Sequence, residues 1–427
     1  MLTNPFEYGK PIADPTRFFG RQSELLRLRD GCYQMRSISI VGERRVGKSS
    51  LLRLFTVPEF VKNFNFGDKY IFCFYDFQGV EDLTQEQFWA WILTELAEKI
   101  PEKDLQGSIK TVTEAKNFDN ISLRHIFEKL KSKNLIFLFD EFETILQHQN
   151  FTKSFYGLLR YLNQNCPVAF ITATRRELVY HLIDDETKFS PFFNIFDNLV
   201  IKPFQEQECR DLVTNYLQDS DVSFNESEIT KMIQLSGGYA AFFQVACFFL
   251  FYAYQNNAIK DNEAERWSYV DENFRSQLNP HFAYFWNKSG EEEKILLALI
   301  AILIATGKQG IAEKEIKDLY PRYKNDLLTL NNRSMVLSDN GNYRLFSPVF
   351  AEWILMELTD ISQKDEKSIE EWITQYEKSF LEKGFQKIGN TFKKVNPKYW
   401  ELFKKILLLV KDPKKLIDLL EKIGQIF

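Results

Sequence analysis

Cysteine and histidine are scarce in this 427-residue chain, with five and four copies. Cys32, Cys73, Cys166, Cys209 and Cys247 are scattered, with no Cys-x-x-Cys pair and no His pair nearby. That spacing excludes a zinc ribbon and a disulfide framework, and the thiols read as small buried hydrophobes of a reducing compartment. Long apolar runs are missing too. The longest, Ile295 to Thr306, is too short to span a bilayer, and Ala240 to Tyr254 is interrupted by Gln244. The start, Met1-Leu2-Thr3-Asn4-Pro5, lacks the basic-then-apolar pattern of a secretory signal. The expectation is a cytoplasmic chain with no membrane contact. An excess of positive charge is also lacking: the net charge is −5, which gives no global case for nucleic-acid binding. Repeats and low-complexity tracts are absent, as is an Asn-Lys-x-Asp motif that would read guanine.

What is present is the composition of a globular protein, 44% hydrophobic and 26% charged, in a chain long enough for two or three domains. Phe is abundant, at 40 copies, which favours large aromatic cores without naming a ligand. Charge is unevenly spread. Residues 361–427 carry 14 Lys, no Arg and 10 Asp+Glu, whereas the remainder is acidic. Such a tail reads as a solvated helical face or as a contact surface for an acidic partner.

The most informative segment is Gly42-Glu43-Arg44-Arg45-Val46-Gly47-Lys48-Ser49, a complete G-x-x-x-x-G-K-[ST] loop. Ser37 to Val41 before it reads as a short buried strand, and Ser50 to Phe55 after it as the first turns of a helix. Gly42 and Gly47 allow a tight turn whose backbone N–H groups converge on phosphate oxygens, aided by the helix N-terminus. Lys48 is expected to reach the β- and γ-phosphates, and Ser49 to ligate Mg²⁺. Leu135 to Phe139 reads as a strand buried on both faces, with Asp140 and Glu141 at its C-terminal end. Asp140 is assigned to Mg²⁺ and Glu141 to the catalytic base. Pro167 to Arg176 reads as a further strand running into polar residues. Thr172 or Thr174 suits sensing of a γ-phosphate by hydrogen bond. Arg175, in preference to Arg176, suits placing a guanidinium on it.

Residues 1–36 prepare this site. An aromatic-Gly turn, Phe18-Phe19-Gly20-Arg21, precedes an amphipathic helix and is suited to backbone hydrogen bonds and apolar cover for adenine. Strands alternating with helices predict a mainly parallel sheet. From Gln205 to about Tyr254 everything reads as helix, broken at Ser236-Gly237-Gly238. Three helices and a hairpin follow from Glu291, with an Asn340-Gly341 turn. The expected fold is an α/β P-loop NTPase core (1–202) with a helical lid (203–255), a linker with helical pieces (256–290), a winged-helix domain (291–358) and a C-terminal helical segment (359–427).

In this order of parts the chain resembles the STAND class of AAA+-related P-loop ATPases, particularly the prokaryotic AAA-like and archaeal-type ATPases. The resemblance spans roughly residues 4–358. It is carried by Asn4-Pro5-Phe6 with Phe18-Phe19-Gly20-Arg21, the loop from Gly42 to Ser50, Phe137 to Glu141, Thr172 to Arg175, Pro203-Phe204, Ser236-Gly237-Gly238-Tyr239-Ala240, and Leu345-Phe346-Ser347-Pro348 with Phe350, Glu352 and Trp353. Two positions depart from the pattern: Ala240 stands where the lid motif has proline, and the winged helix lacks the His that some relatives place on the ADP β-phosphate. The resemblance implies ATP and ADP as ligands, with nucleotide contacts at Phe19, Gly20, Gly42, Glu43, Arg44, Arg45, Val46, Gly47, Lys48, Ser49, Ser50 and Thr174. It also implies a switch, closed with ADP and self-associating with ATP, that signals in stress or antiviral defence through a protein effector or trigger, with residues 361–427 as the contact surface. A DNA-acting AAA+ ATPase is the alternative. Residues 291–357 hold eight Lys+Arg against ten Asp+Glu, and the recognition segment offers only Arg322, Lys324 and Arg333. Phosphate binding normally needs more, so DNA is not the favoured partner.

Overall fold

Five parallel strands form one sheet, in the spatial order Tyr70–Asp76, Asn134–Asp140, Val168–Thr174, Ser37–Val41 and Phe196–Val200. The computed structural model describes residues 3–182, 191–305, 308, 310–319 and 323–357. In chain order this part runs α1 (Gln22–Tyr33), β1 (Ser37–Val41), α2 (Lys48–Leu54), α3 (Pro58–Asn63), β2 (Tyr70–Asp76), α4 (Gln85–Lys99), α5 (Lys103–Glu114) and α6 (Asn120–Lys129). It continues through β3 (Asn134–Asp140), α7 (Glu143–Gln147), α8 (Lys153–Asn165), β4 (Val168–Thr174), α9 (Val179–Leu182), β5 (Phe196–Val200) and α10 (Glu206–Leu217). Parallel neighbours need long crossovers, and helices supply most of them, so the sheet is covered on both faces. That is why β1 and β4 are buried along their whole length and read as unbroken runs rather than alternating ones.

Register then sorts the side chains. Tyr75 lies opposite Phe139, which lies opposite Thr172, and Asp76 lies opposite Asp140. The odd-numbered residues of β2 and β3 share one core with Val168 and Phe170 of β4 and with Phe88, Trp89 and Phe155 from the helices. The many phenylalanines meet here: the Phe139 ring lies 5.4 Å from Phe77, 5.3 Å from Phe142 and 5.7 Å from Phe170. Helix α4 starts with a reciprocal capping box between Thr84 and Gln87, which satisfies two backbone donors at once.

The chain forms two compact units. One comprises Tyr8–Tyr216 with Tyr239–Ala241, and holds the parallel sheet. The other comprises the described residues up to Glu7, Leu217–Gly238 and the described chain from Phe242 onward. Its elements are α11 (Glu226–Ser236), most of α12 (Ala240–Gln255), α13 (Glu263–Asn287), α14 (Glu291–Ala305), β6 (Ile311–Ala312), α15 (Glu313–Leu319), α16 (Lys324–Asn332), β7 (Val336–Asp339) and β8 (Asn342–Leu345). Residues 348–357 are helical as well. The three strands are antiparallel, and Asn340 and Gly341 both take positive φ (49° and 79°), the two-residue turn whose twist matches the strands it joins.

The Ser236-Gly237-Gly238 break has a local cause. Gly237 ends α11 in the left-handed region (φ 60°), and a Cβ there would stand 2.2 Å from the Phe346 carbonyl oxygen. Beside it the Ser347 hydroxyl donates to the Leu235 carbonyl at 2.6 Å. Residues 256–290, expected as a linker with helical pieces, instead contain one 25-residue helix, α13. Val270, Phe274, Leu278, Phe282 and Phe285 recur at helical spacing and are buried, and that packing outweighs the break Pro280 would otherwise impose inside the helix. No described helix is long and apolar enough to cross a membrane. The tail at 361–427 lies outside the described residues.

Candidate functional site

Building the site starts at the end of β1. Val41 leads into Gly42, whose N–H donates to the Thr174 carbonyl at 3.1 Å, tying the loop to the end of β4. A Cβ on Gly42 would meet the Ile201 carbonyl oxygen at 3.0 Å and the Val46 side chain at 3.1 Å, so glycine suits this crossing. Arg45 (φ 72°) and Gly47 (φ 109°) curl the loop through the left-handed region. Glu43 is buried, and its Oε1 accepts from the Arg44 N–H at 2.9 Å. Lys48, only 6% exposed, opens α2 and donates to the Gly42 and Glu43 carbonyls at 2.8 and 3.3 Å. Its ammonium is thereby held inside the curve of the loop.

The end of β3 faces this loop. Asp140 is 2% exposed. Burial pushes its carboxyl above the usual range, while the Ser49 hydroxyl bonded to it and the Lys48 charge pull it down. Glu141 follows at φ 51° and donates its N–H to Asp140 Oδ1 at 3.1 Å. Burial raises the Glu141 carboxyl as well, as does the Glu143 charge; Lys48, Arg44 and Arg175 oppose them. Side chains from three distant segments therefore come within electrostatic reach of one another: Arg44, Lys48 and Ser49; Asp140 and Glu141; and Arg175. Among the described residues no group of three or more His, Cys, Asp or Glu side chains is arranged to hold a metal ion. A cation here would need the Ser49 hydroxyl and phosphate oxygens besides Asp140, a hard-oxygen set that suits Mg²⁺.

The two threonines differ. Thr174 Oγ1 donates to the Arg176 carbonyl at 2.7 Å, whereas the buried Thr172 Oγ1 has no hydrogen-bond partner. Arg175 Nε donates to Glu143 Oε1 at 2.9 Å. Ser50, expected at the nucleotide, turns its hydroxyl to the Ile12 N–H, which it accepts at 2.9 Å. Phe19 packs edge-on against Tyr216, 5.8 Å between centroids. At Gly20 (φ 69°) a Cβ would lie 2.6 Å from Glu208 Oε1.

The fold brings in four residues that had no expected role at the site. The buried Arg21 guanidinium donates to the Val46 carbonyl at 3.1 Å, pairs with Glu24 and stacks 4.7 Å over Phe204. Glu208 accepts from the Arg21 N–H at 3.1 Å, so the opening motif, the phosphate loop and α10 are joined. Asp76, at the C-terminal end of β2, faces Asp140 in register and pairs with Arg53 at 3.5 Å. Glu143 was legible only as the last acid of Asp-Glu-Phe-Glu. The lid-motif residue Ala240 also reaches the loop: its Cβ would be 4.0 Å from a Cβ on Gly47, and the Ala241 N–H donates to the Arg45 carbonyl at 3.3 Å.

A family model described as Novel STAND NTPase 2 matches residues 34–303, more than half the chain. The chain belongs to this family. As a STAND NTPase it carries the parallel-sheet α/β core of P-loop NTPases. The fold is similar to that of a Walker-type ATPase of Pyrococcus abyssi, at 19% identity and a TM-score of 0.54, covering 81% of this chain and 98% of that one. It is also similar to the ORC2 protein of Aeropyrum pernix in its ADPNP-ADP complexes, at 15% identity and a TM-score of 0.52, covering 85% and 98%. Both likenesses speak to the fold of this STAND NTPase alone. No curated protein sequence matches it.

Proposed function

We propose that this STAND NTPase is an ATP-operated switch that hydrolyses ATP slowly and signals through nucleotide-dependent self-association. The observation that carries the reading is the convergence of Lys48, Ser49, Asp140, Glu141 and Arg175 at one edge of the sheet. The loop N–H groups and Lys48 would hold the β- and γ-phosphates, and Ser49 and Asp140 would hold Mg²⁺, which neutralises charge on the phosphate oxygens. Glu141 would take a proton from water as that water's oxygen bonds to the γ-phosphorus and the bond to the β,γ-bridging oxygen breaks. Arg175 and Thr174 would sense the γ-phosphate, and Phe19 and Gly20 would contact the adenine.

In this reading residues 203–255 act as a lid and residues 291–358 as a winged helix, on a core of residues 1–202. Exchange of ADP for ATP shifts the population toward an open form only by the difference in affinity for the two forms. The signalling or defence role, and an effector contacted through residues 361–427, belong to the same proposal. The DNA-acting alternative has less support. Arg333, one of three basic residues in the recognition segment, is 2% exposed and paired with Glu293 at 2.8 Å. Lys324 is exposed, and Arg322 lies outside the described residues.

Two variants test the site. Glu141→Gln is expected to bind ATP while turnover falls about 10²- to 10⁴-fold, the ordinary contribution of a positioned base. Lys48→Ala is expected to weaken nucleotide binding about 10- to 100-fold, as loss of a charge-assisted contact does. Calorimetric titration and phosphate release read both. Wild-type turnover in the first variant would remove Glu141 as base, and unchanged affinity in the second would sink the phosphate-loop assignment.

A further inference from the structure

We infer that Glu143 is a positioning residue that sets the orientation of Arg175 for sensing the γ-phosphate; this rests on the sensor role proposed for Arg175 above. Glu143 opens α7, three residues beyond Asp140, and is 4% exposed. Its Oε1 accepts from Arg175 Nε at 2.9 Å, and its Oε2 is buried with no hydrogen-bond partner. The carboxylate has therefore lost its water, and Arg175 is what compensates it. A surface pair at this distance would add little; a desolvated one holds both partners. Because the Nε–H lies in the guanidinium plane, a bond there sets the plane of the whole fork.

Both ends of the pair stand on rigid backbone. The Phe142 N–H donates to the Ala173 carbonyl at 3.1 Å, stitching the start of α7 to the end of β4. Ile145 and Leu146 are buried and anchor the helix. Arg175 directly follows Thr174, which is fully buried. Glu141 lies two residues before Glu143 and within electrostatic reach of both partners. The sensor and the segment bearing the base are thus tied by one ion pair, so a change at the γ-phosphate is felt at α7.

A purely structural ion pair would affect stability without changing which nucleotide is preferred. The experiment measures affinities of the full chain for Mg-bound adenylyl imidodiphosphate and for ADP by calorimetry, and takes their ratio. Arg175→Ala and Glu143→Ala are each expected to lower that ratio about tenfold, the scale of one charge-assisted hydrogen bond. The double variant should lose no more than Arg175→Ala, because the two act as one unit. Glu143→Gln keeps an accepting oxygen and should return to within about threefold of the natural ratio. Stoichiometric ADP binding checks the fold of each variant, and Glu143→Asp, which keeps the charge but shortens the reach, serves if the alanine variant does not fold. A natural ratio in Glu143→Ala, or additive losses in the double variant, with the ratio lost in Arg175→Ala, would overturn the inference and leave the sensor standing. A natural ratio in Arg175→Ala would instead overturn the sensor reading and this inference with it.

Discussion

Glu141 takes a left-handed backbone (φ 51°) directly after the buried end of β3, a conformation that an L-residue adopts at a cost. The turn is locked by its N–H on Asp140 Oδ1, and Phe142 is tied to β4. The strain faces the carboxylates to the phosphate loop instead of to solvent. It also leaves Asp140 buried and carrying a charge that the fold disfavours. Its carboxyl is raised in the fold above the ordinary value of 3.8, so the charged form weighs against folding at neutral pH. Asp140→Asn is therefore expected to raise the Tm of the nucleotide-free protein. The gain is complete above the raised value, shrinks as pH falls through it, and is gone below 3.8, where both folded and unfolded chains hold the proton. Thermal melts of both proteins across that range check it, and a gain that grows on acidification would contradict the sign. Asp140, Glu141 and Lys48 were legible in the sequence because their motifs are local. The roles of Glu143, Arg21 and Glu208 were not, because each is set by a partner far along the chain: Arg175, Val46 and the Arg21 amide.

At the scale of elements, hydrophobic pattern was enough for most of the sheet. A strand buried on both faces must read as a continuous apolar run, and Leu135 to Phe139 does. The structure adds reciprocal capping boxes at the starts of α4 (Thr84 with Gln87) and α11 (Asn225 with Glu228), which were not read from the sequence. Helix α13 was less legible, since its apolar residues are spread among Asn, Gln and Arg and interrupted by Pro280, and only packing reveals which face is inside. The close of α11 is set by contact as much as by propensity. Gly237→Ala would place a methyl 2.2 Å from the Phe346 carbonyl oxygen at a positive φ. A loss of at least about 2 kcal/mol is expected, backbone strain and overpacking together. Urea unfolding measures it; a loss below about 0.5 kcal/mol, typical of an unremarkable surface site, would show that the two segments separate easily.

At the scale of the whole molecule, the proposed switch predicts a nucleotide-dependent mass. Glu141→Gln with ATP and Mg²⁺ should assemble, whereas the wild type with ADP should remain smaller, as read by light scattering. Equal masses in both conditions would remove self-association from the proposal. The sequence by itself determined the phosphate loop, the acids at the end of β3, the parallel α/β class and the Asn-Gly hairpin. The loop, the acids and the hairpin turn are short-range patterns complete within a few residues, and the parallel class follows from strands alternating with helices along the chain. Only the tertiary structure decided which charges lose their water and to whom they turn. It buried Arg333 on Glu293, gave Ser50 to Ile12, and set Glu143 on Arg175. Burial and partnership depend on the crossing of segments distant in the chain. The energy of an ionised side chain depends on them more than on its neighbours in sequence.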